Sequence, residues 1–129
     1  MSRDAKTSTA ESMRRALLRA AGRGETVTYG TLMRRFSLSR GRALSGMIGK
    51  VDRREYASSA PGFAAIIVRK DTGYPGGGYF CDDTLPPELR RPKSRANDPI
   101  LSSVERDYIR HQQRRIWESY SRTARSPRR

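Results

Sequence analysis

The sequence predicts an α+β fold, a winged helix-turn-helix with a glycine-rich β-hairpin wing and an added C-terminal basic helix. Two short amphipathic patterns lie on either side of Ser37-Leu38-Ser39. An apolar, β-branched run from Phe63 to Val68 then leads into a turn and a glycine cluster. The chain has 129 residues and a formal net charge of +14, which suits one small domain that meets a polyanion.

The first helix is predicted to begin at a capping box made by Ser8 and Glu11. Residues 1–8 are polar and are expected to be disordered, whereas 9–81 form the winged-helix domain. Gly22 and Gly24 end the helix. Its buried face is expected to carry Met13, Ala16, Leu17 and Ala20, and its outer side Arg14, Arg15 and Arg19.

Two short helices follow and indicate a helix-turn-helix. Thr28 is expected to cap the first and Ser39 the second. Their buried positions are predicted to be Leu32, Met33 and Phe36 in the first, and Ala43, Leu44, Met47, Ile48 and Val51 in the second. Any other αα-hairpin has the same spacing, so the pattern alone leaves DNA binding open.

The wing is predicted from the segment that follows. Phe63 to Val68 suits a buried strand, and Asp71-Thr72-Gly73 is a turn signal. Tyr79 and Phe80 suggest a short returning strand after the glycines, so the two strands would form a hairpin.

The C-terminal part is predicted to contain a linker, a helix and a tail. Residues 82–100 are rich in proline and are expected to cross the domain surface as an extended linker. Ser102 and Glu105 fit a second capping box, which opens a basic amphipathic helix over 101–121. Residues 122–129 are expected to be disordered. The inner face of the helix is predicted to carry Val104, Tyr108, Ile109, Gln112, Ile116 and Tyr120.

The charge balance points to nucleic acid. The chain has 27 Lys and Arg against 13 Asp and Glu, and most of the basic residues are arginine, which contacts phosphate bidentately. Cys81 is the only cysteine, so we expect a reducing, cytoplasmic location, nucleoid-associated in a bacterium. No apolar run is long enough to span a membrane and no secretory leader is visible, so we expect no membrane contact.

Three segments resemble the DNA-binding domain of O6-alkylguanine-DNA alkyltransferases and alkyltransferase-like proteins. They are Val27-Thr28-Tyr29-Gly30, Arg42-Ala43-Leu44-Ser45-Gly46, and Val68-Arg69-Lys70-Asp71 with the downstream Gly77-Gly78-Tyr79. The resemblance covers roughly Glu25 to Tyr79. It implies that Tyr29 crowds a phosphate and helps to rotate a nucleotide out of the stack. It also implies that Arg42 enters the duplex from the minor groove and fills the vacated space.

The chain departs from this family at the reactive motif. Where the family has Pro-Cys-His-Arg, this sequence has Phe63-Ala64-Ala65-Ile66, so the thiolate and its histidine partner are missing. Alkyl transfer is therefore excluded, and we expect no enzymatic activity. The family's asparagine-proline hinge is also replaced, by a polar insertion over 52–59, which argues against base flipping into a pocket.

Other chemistry has little support in the sequence. One cysteine and one histidine, Cys81 and His111, cannot supply a zinc site of the usual kind, so no metal and no cofactor are expected. A magnesium nuclease built on Asp71, Asp82 and Asp83 stays an alternative without a matching signature. The three glycines at 76–78 lack the lysine of a phosphate-binding loop.

We therefore expect a non-catalytic protein that binds duplex DNA as a regulator, a nucleoid-like or mobile-element protein, or a lesion sensor. RNA binding, and docking of the basic face on an acidic protein as an inhibitor does, remain the alternatives. A homodimer through the C-terminal helix is possible. The residues expected to contact nucleic acid are Tyr29, Arg40, Arg42, Lys50, Arg69, Lys70, Tyr74, Arg110 and Arg114.

Overall fold

A computed structural model of the chain describes residues 2–38, 42–57, 61–82, 85–96, 98 and 100–125, without the side chains of 2–8, 42, 57 and 122–125. This part is mostly helical with one small sheet, consistent with an α+β class. The helices are α1 (Ser2–Gly22), α2 (Tyr29–Phe36), α3 (Arg42–Ala57) and α4 (Ser103–Arg125). The strands β1 (Val27–Thr28) and β2 (Ile67–Val68) pair in parallel, Val27 opposite Ile67. Short 3-10 helices cover Ala64–Ile66, Gly77–Cys81, Pro87–Leu89 and Lys93–Arg95.

Helix α1 begins earlier than the sequence predicts. It starts at Ser2, so Ser8 lies inside the helix and the predicted capping box there is not formed. No glycine or proline interrupts the first 21 residues, so nothing in this stretch ends the helix before Gly22. The predicted end is confirmed, because Gly24 has a left-handed φ of +70° and the N–H of Glu25 donates to the carbonyl of Ala20 at 2.9 Å.

The main core lies between α1, α3 and α4. Helix α4 packs against α1, and its Gln113 and Trp117 side chains donate to the carbonyls of Ala65 and Glu25, each at 3.0 Å. The Tyr120 ring stacks on Phe63 with centroids 4.9 Å apart. The apolar face of α4 is thus used within the chain. The core contains Met13, Leu17, Ala21, Leu32, Leu44, Val51, Phe63, Ile66, Ile67, Ile116 and Tyr120.

Two predicted core positions are wrong. Ala43 is exposed at the start of α3, and Val104 is 60% exposed near the start of α4. On α4 the buried glutamine is Gln113, whose amide satisfies a backbone carbonyl, whereas Gln112 is only half-buried. Both kinds of error arise at helix ends and polar positions, where apolar periodicity is a weak guide.

The predicted wing hairpin is wrong in the described residues. The run Phe63–Val68 forms a 3-10 turn over Ala64–Ile66 and only two strand residues. Tyr79 and Phe80 lie in the 3-10 helix Gly77–Cys81 rather than in a returning strand, and Phe80 is fully buried. The turn before the glycines is confirmed: Arg69 N–H donates to the Tyr74 carbonyl, and Gly73 N–H donates to the Arg69 carbonyl, each at 2.9 Å. We call residues 69–74 the basic turn.

The proline-rich segment 82–100 packs more closely than its composition predicts. Phe80, Leu85, Leu89, Leu101 and Ile109 form a second small core beneath it. The Arg91 side chain is only 2% exposed and makes a two-pronged contact with Glu105, with both distances 2.9 Å. Its guanidinium also donates to the carbonyls of Arg95, Asp98 and Ile100.

At the two ends of α4, one prediction is confirmed and one is wrong. The capping box at Ser102 and Glu105 is confirmed, because each side chain accepts the other residue's backbone N–H, at 2.8 and 3.1 Å. Helix α4 extends to Arg125, so the helix includes 122–125 of the predicted disordered tail, and 126–129 lie outside the described residues. Among the described helices, none combines the length and the apolar character that crossing a membrane requires.

Candidate nucleic-acid interface

A cleft opens between α2, the first turns of α3, the basic turn and the glycine segment. One lobe of about 610 Å³ is lined by Tyr29, Gly30, Met33, Arg69, Lys70 and Asp71. A second lobe of about 510 Å³ shares Tyr29, Met33 and Arg69 with the first and adds Leu44, Ser45 and Ile48 of α3 and Gly76 to Gly78. The structure therefore brings Tyr29, Arg69 and Lys70 together from positions that are about forty residues apart in the sequence.

Tyr29 stands between the two lobes because α2 begins at this residue. The Oγ1 of Thr28 accepts the Thr31 N–H at 3.1 Å, which confirms Thr28 as the N-cap and fixes where α2 starts. The Tyr29 hydroxyl accepts the N–H of Gly76 at 3.1 Å. Burial raises the pKa of the Tyr29 phenol, while this N–H lowers it. The neutral phenol keeps an O–H proton that it can donate to a phosphate oxygen.

Arg69 is held by an acidic neighbour inside the basic turn. Its Nε and Nη2 donate to the two oxygens of Asp71 at 2.9 and 2.7 Å. This hydrogen bonding lowers the pKa of the Asp71 carboxyl. The two side chains are 37% and 62% exposed, so a ligand can reach both. Lys70 between them is exposed as well. The basic turn thus gives the edge of the cleft two cations and one carboxylate, a net positive charge.

Tyr74 connects the basic turn to α4. The Arg110 guanidinium lies over the Tyr74 ring, 5.7 Å from its centroid, an arrangement in which the cation is attracted to the ring face. Arg110 also lies 3.5 Å from Asp107, and Arg114 is exposed one turn further along α4. Tyr74 and Arg110 are therefore brought together beside the basic turn, whereas none of the three predicted contact residues Tyr74, Arg110 and Arg114 lines the cleft itself.

The predicted contacts on α3 are placed less completely. Arg40 lies outside the described residues. Arg42 is the first residue of α3, and its side chain lies outside the described part of the structure. Lys50 is exposed, but it is not among the residues that line the cleft. The residues of α3 that do line it are Leu44, Ser45 and Ile48.

A buried ionic network lies elsewhere, between α1, α3 and α4. Glu55 is 3% exposed and accepts from Arg14 and from the Tyr120 hydroxyl, the latter at 2.9 Å. Arg14 was predicted on the outer side of α1; instead it makes this partly buried contact. Residues 52–57 of the predicted polar insertion over 52–59 instead continue α3 as helix, and 58–59 lie outside the described residues. No local sequence pattern predicts this network, because Arg14 and Tyr120 lie 41 and 65 residues from Glu55 in the sequence.

Asp52 lies beside this network and holds the turn that leads to β2. It is buried and accepts the Phe63 N–H at 2.7 Å, and burial raises the pKa of its carboxyl to about 6. A Cβ added to Gly62 would lie 2.5 to 2.8 Å from the Asp52 carboxylate, so this approach requires glycine.

The described residues offer little for metal or thiol chemistry. In these ranges no group of three or more His, Cys, Asp or Glu side chains converges as metal ligands would. Cys81 is half-buried, with its Sγ 3.7 Å from the Pro92 carbonyl oxygen, and His111 is exposed on α4. Asp71, one of the carboxylates considered for magnesium, is bound by Arg69.

Comparison with known proteins gives no relative for this architecture. Neither protein-family models, nor curated proteins, nor solved structures match the chain.

Proposed function

We propose that this chain is a non-catalytic nucleic-acid-binding protein that binds duplex DNA through the cleft around Tyr29. The observation that carries the proposal is that Tyr29, Arg69 and Lys70 line one cleft beside α3 in a chain of net charge +14. A cleft lined by one dominant sign of charge concentrates its counter-ion, here the phosphate backbone. The resemblance of the same residues to the alkyltransferase DNA-binding domain supports duplex DNA as the nucleic acid.

In this proposal the helices α2 and α3 act as a helix-turn-helix, with α3 in a groove of the duplex. Arg42, at the first position of α3, enters the duplex as the resemblance implies. The basic turn takes the place of a wing, with Arg69 and Lys70 on the flanking backbone. Tyr29 donates its hydroxyl proton to a phosphate, since the oxygen already accepts from Gly76.

Helix α4 and the tail add affinity that does not depend on sequence. Arg110 and Arg114 extend the basic edge away from the cleft, next to Tyr74. Side chains of this kind contact phosphates and so contribute through counterion release, which carries no base information. The proposal includes no chemical step, because Ala64 and Ala65 stand where the resembling family has its nucleophile and base.

Fluorescence anisotropy with a labelled 12-base-pair duplex, a single strand of the same sequence and a structured RNA tests the proposal. The wild-type protein should bind the duplex most tightly, with a steep salt dependence. The variant Arg69→Gln/Lys70→Gln should flatten the plot of log K against log salt by about 0.9, the Lys70 contact alone, if Asp71 still holds Arg69 in the complex. If a phosphate displaces Asp71 from Arg69, two contacts are removed and the plot flattens by about 1.8.

The control removes the same charge elsewhere. Arg90 and Lys93 are exposed on the proline-rich segment and line neither lobe of the cleft. The variant Arg90→Gln/Lys93→Gln should therefore bind the duplex nearly as the wild type does. Equal losses in the two variants would contradict a localised site. Preference for RNA would favour the RNA alternative, and no binding at all would favour an acidic protein partner.

A further inference from the structure

Helix α1 carries a second basic surface that the cleft does not use. Arg15, Arg19 and Arg23 follow one another at intervals of four residues, and all three are exposed. The N–H of Arg23 donates to the Arg19 carbonyl at 3.1 Å, so the helical course continues as far as Arg23. We call these three residues the α1 stripe. Residues of α1 do not appear among those that line either lobe of the cleft.

The α1 stripe faces away from the core. Met13, Leu17 and Ala21 hold α1 against the core and are fully buried. Arg15 is two residues from Met13 and two from Leu17, which on a helix of 3.6 residues per turn places it on the opposite side. The stripe therefore lies on the solvent face of α1, and α1 contributes no residue to the lining of the cleft.

Helix stability does not explain the α1 stripe as a whole, although the helix dipole favours Arg19 in the last turn. Like charges four residues apart destabilise a helix slightly, and the helix dipole favours cations only in the last turn, which excludes Arg15. Glu11, one turn before Arg15, instead contacts Arg14 at 3.7 Å and Arg54 at 2.8 Å. Among the described residues, no ion pair joins the three guanidinium groups to a carboxylate. Within the described part of the structure, the three guanidinium groups are thus exposed to solvent and open to a ligand.

The spacing of the stripe fits a nucleic-acid backbone. Eight residues of helix span about 12 Å at about 1.5 Å each. Along a duplex, one strand carries a phosphate about every 3.4 Å of axis, so the stripe is as long as three to four phosphates of one strand. A row of arginines of this length can contact successive phosphates without entering a groove.

We infer that the α1 stripe binds the backbone of a second duplex, so that one protein molecule bridges two DNA segments. This inference rests on the proposed binding of the first duplex in the cleft. Bridging is a role that two separate basic faces on a small domain permit and a single cleft does not.

Energy transfer between two 12-base-pair duplexes, one labelled with a donor and one with an acceptor, tests the bridge. Each duplex is about 41 Å long at about 3.4 Å per base pair, which limits wrapping of one duplex around the protein. Wild-type protein should produce energy transfer. The variant Arg15→Gln/Arg19→Gln should abolish the transfer and lower the number of duplexes bound per protein from two to one, while one duplex still binds in the cleft. The control Arg90→Gln/Lys93→Gln should keep both signals.

The outcomes separate the two proposals. Binding of one duplex without energy transfer overturns the bridge and leaves the cleft intact. Transfer that survives in Arg15→Gln/Arg19→Gln means that a protein dimer joins the duplexes, which also overturns it. A loss of single-duplex binding in this variant, with its circular dichroism unchanged, would make the stripe part of the first site. No duplex binding in the wild type overturns both proposals.

Discussion

Replacing Asp71 by asparagine tests whether the cleft uses Arg69 on DNA. In the free protein both oxygens of Asp71 accept from the Arg69 guanidinium, so a phosphate must displace this carboxylate before it can take both donors. Asparagine keeps the size of the side chain but removes its charge and one of its two acceptor oxygens. We therefore expect Asp71→Asn to bind duplex DNA more tightly than the wild type.

The magnitude follows from the number of phosphates contacted. If Arg69 gains one full phosphate contact, the plot of log K against log salt steepens by about 0.9. Between 50 and 200 mM salt, a fourfold change, the ratio of variant to wild-type affinity should then fall by about 3.5-fold. Both side chains are exposed, so the thermal midpoint should hardly change.

Anisotropy titrations at four salt concentrations measure this slope. Glu118→Gln is the matched control, because Glu118 is an exposed carboxylate on α4 that lines neither lobe of the cleft. It raises the net charge by the same amount without touching Arg69. If Glu118→Gln steepens the slope as much as Asp71→Asn does, the effect is one of net charge. If Asp71→Asn weakens binding, Asp71 supports the site and the reasoning is refuted.

Three further predictions concern the buried contacts of Asp52, Gly62 and Tyr120. Asp52 has a pKa of about 6 against 3.8 for the unfolded chain, so its contribution is fully present below about pH 4 and is lost as pH rises through 6. Denaturant titrations at several pH values measure this. Between pH 4 and 7 the free energy of unfolding of the wild type should fall by about 3 kcal/mol relative to that of Asp52→Asn. The same pH dependence in both proteins would contradict the raised pKa. Gly62→Ala should lower the free energy of unfolding by about 1–3 kcal/mol, because its Cβ meets the Asp52 carboxylate. The matched Gly46→Ala, whose Cβ meets nothing within 4 Å, should raise it by about 0.5–1 kcal/mol, and equal effects would refute the contact. Tyr120→Phe should cost about 1–3 kcal/mol in the same assay, since it removes the hydroxyl that Glu55 accepts from, and an unchanged midpoint would rule out that bond.

The sequence predicts those features of the fold that are written in local patterns. Four such features depend on residues within five positions of one another: the Thr28 cap, the end of α1 before Gly24, the turn closed at Gly73 and the capping box at Ser102. Such motifs satisfy backbone groups locally and need no knowledge of the rest of the chain.

The errors arise where distant contacts decide the structure. Gly77 packs so closely against Arg91 and the carbonyls of Ala96 and Asp98 that no Cβ would fit, so the glycine segment lies against 91–98. In the sequence alone, nothing distinguishes Arg91 from a surface arginine, because its partner Glu105 lies fourteen residues away. Glu55 likewise acquires its role only through Arg14 and Tyr120. Tertiary packing overrides local propensity at each of these positions.

The candidate site was predicted in part for the same reason. Tyr29, Arg69 and Lys70 were identified from short motifs, and the structure brings them together. The bond from Gly76 to the Tyr29 hydroxyl, across 47 residues, and the pairing of Arg69 with Asp71 were not predicted. The pairing of Arg69 with Asp71 could have been predicted, because an arginine two residues before an aspartate in a turn can reach its carboxylate.

The most direct test of the central claim is a titration of the ¹⁵N-labelled protein with a short duplex, followed by amide chemical shifts. Duplex binding in the cleft should shift the amides of Tyr29, Lys70, Asp71 and Gly76 early and together, because these four residues line it. Shifts confined to residues that line neither lobe, with these four amides unmoved, would contradict binding in the cleft.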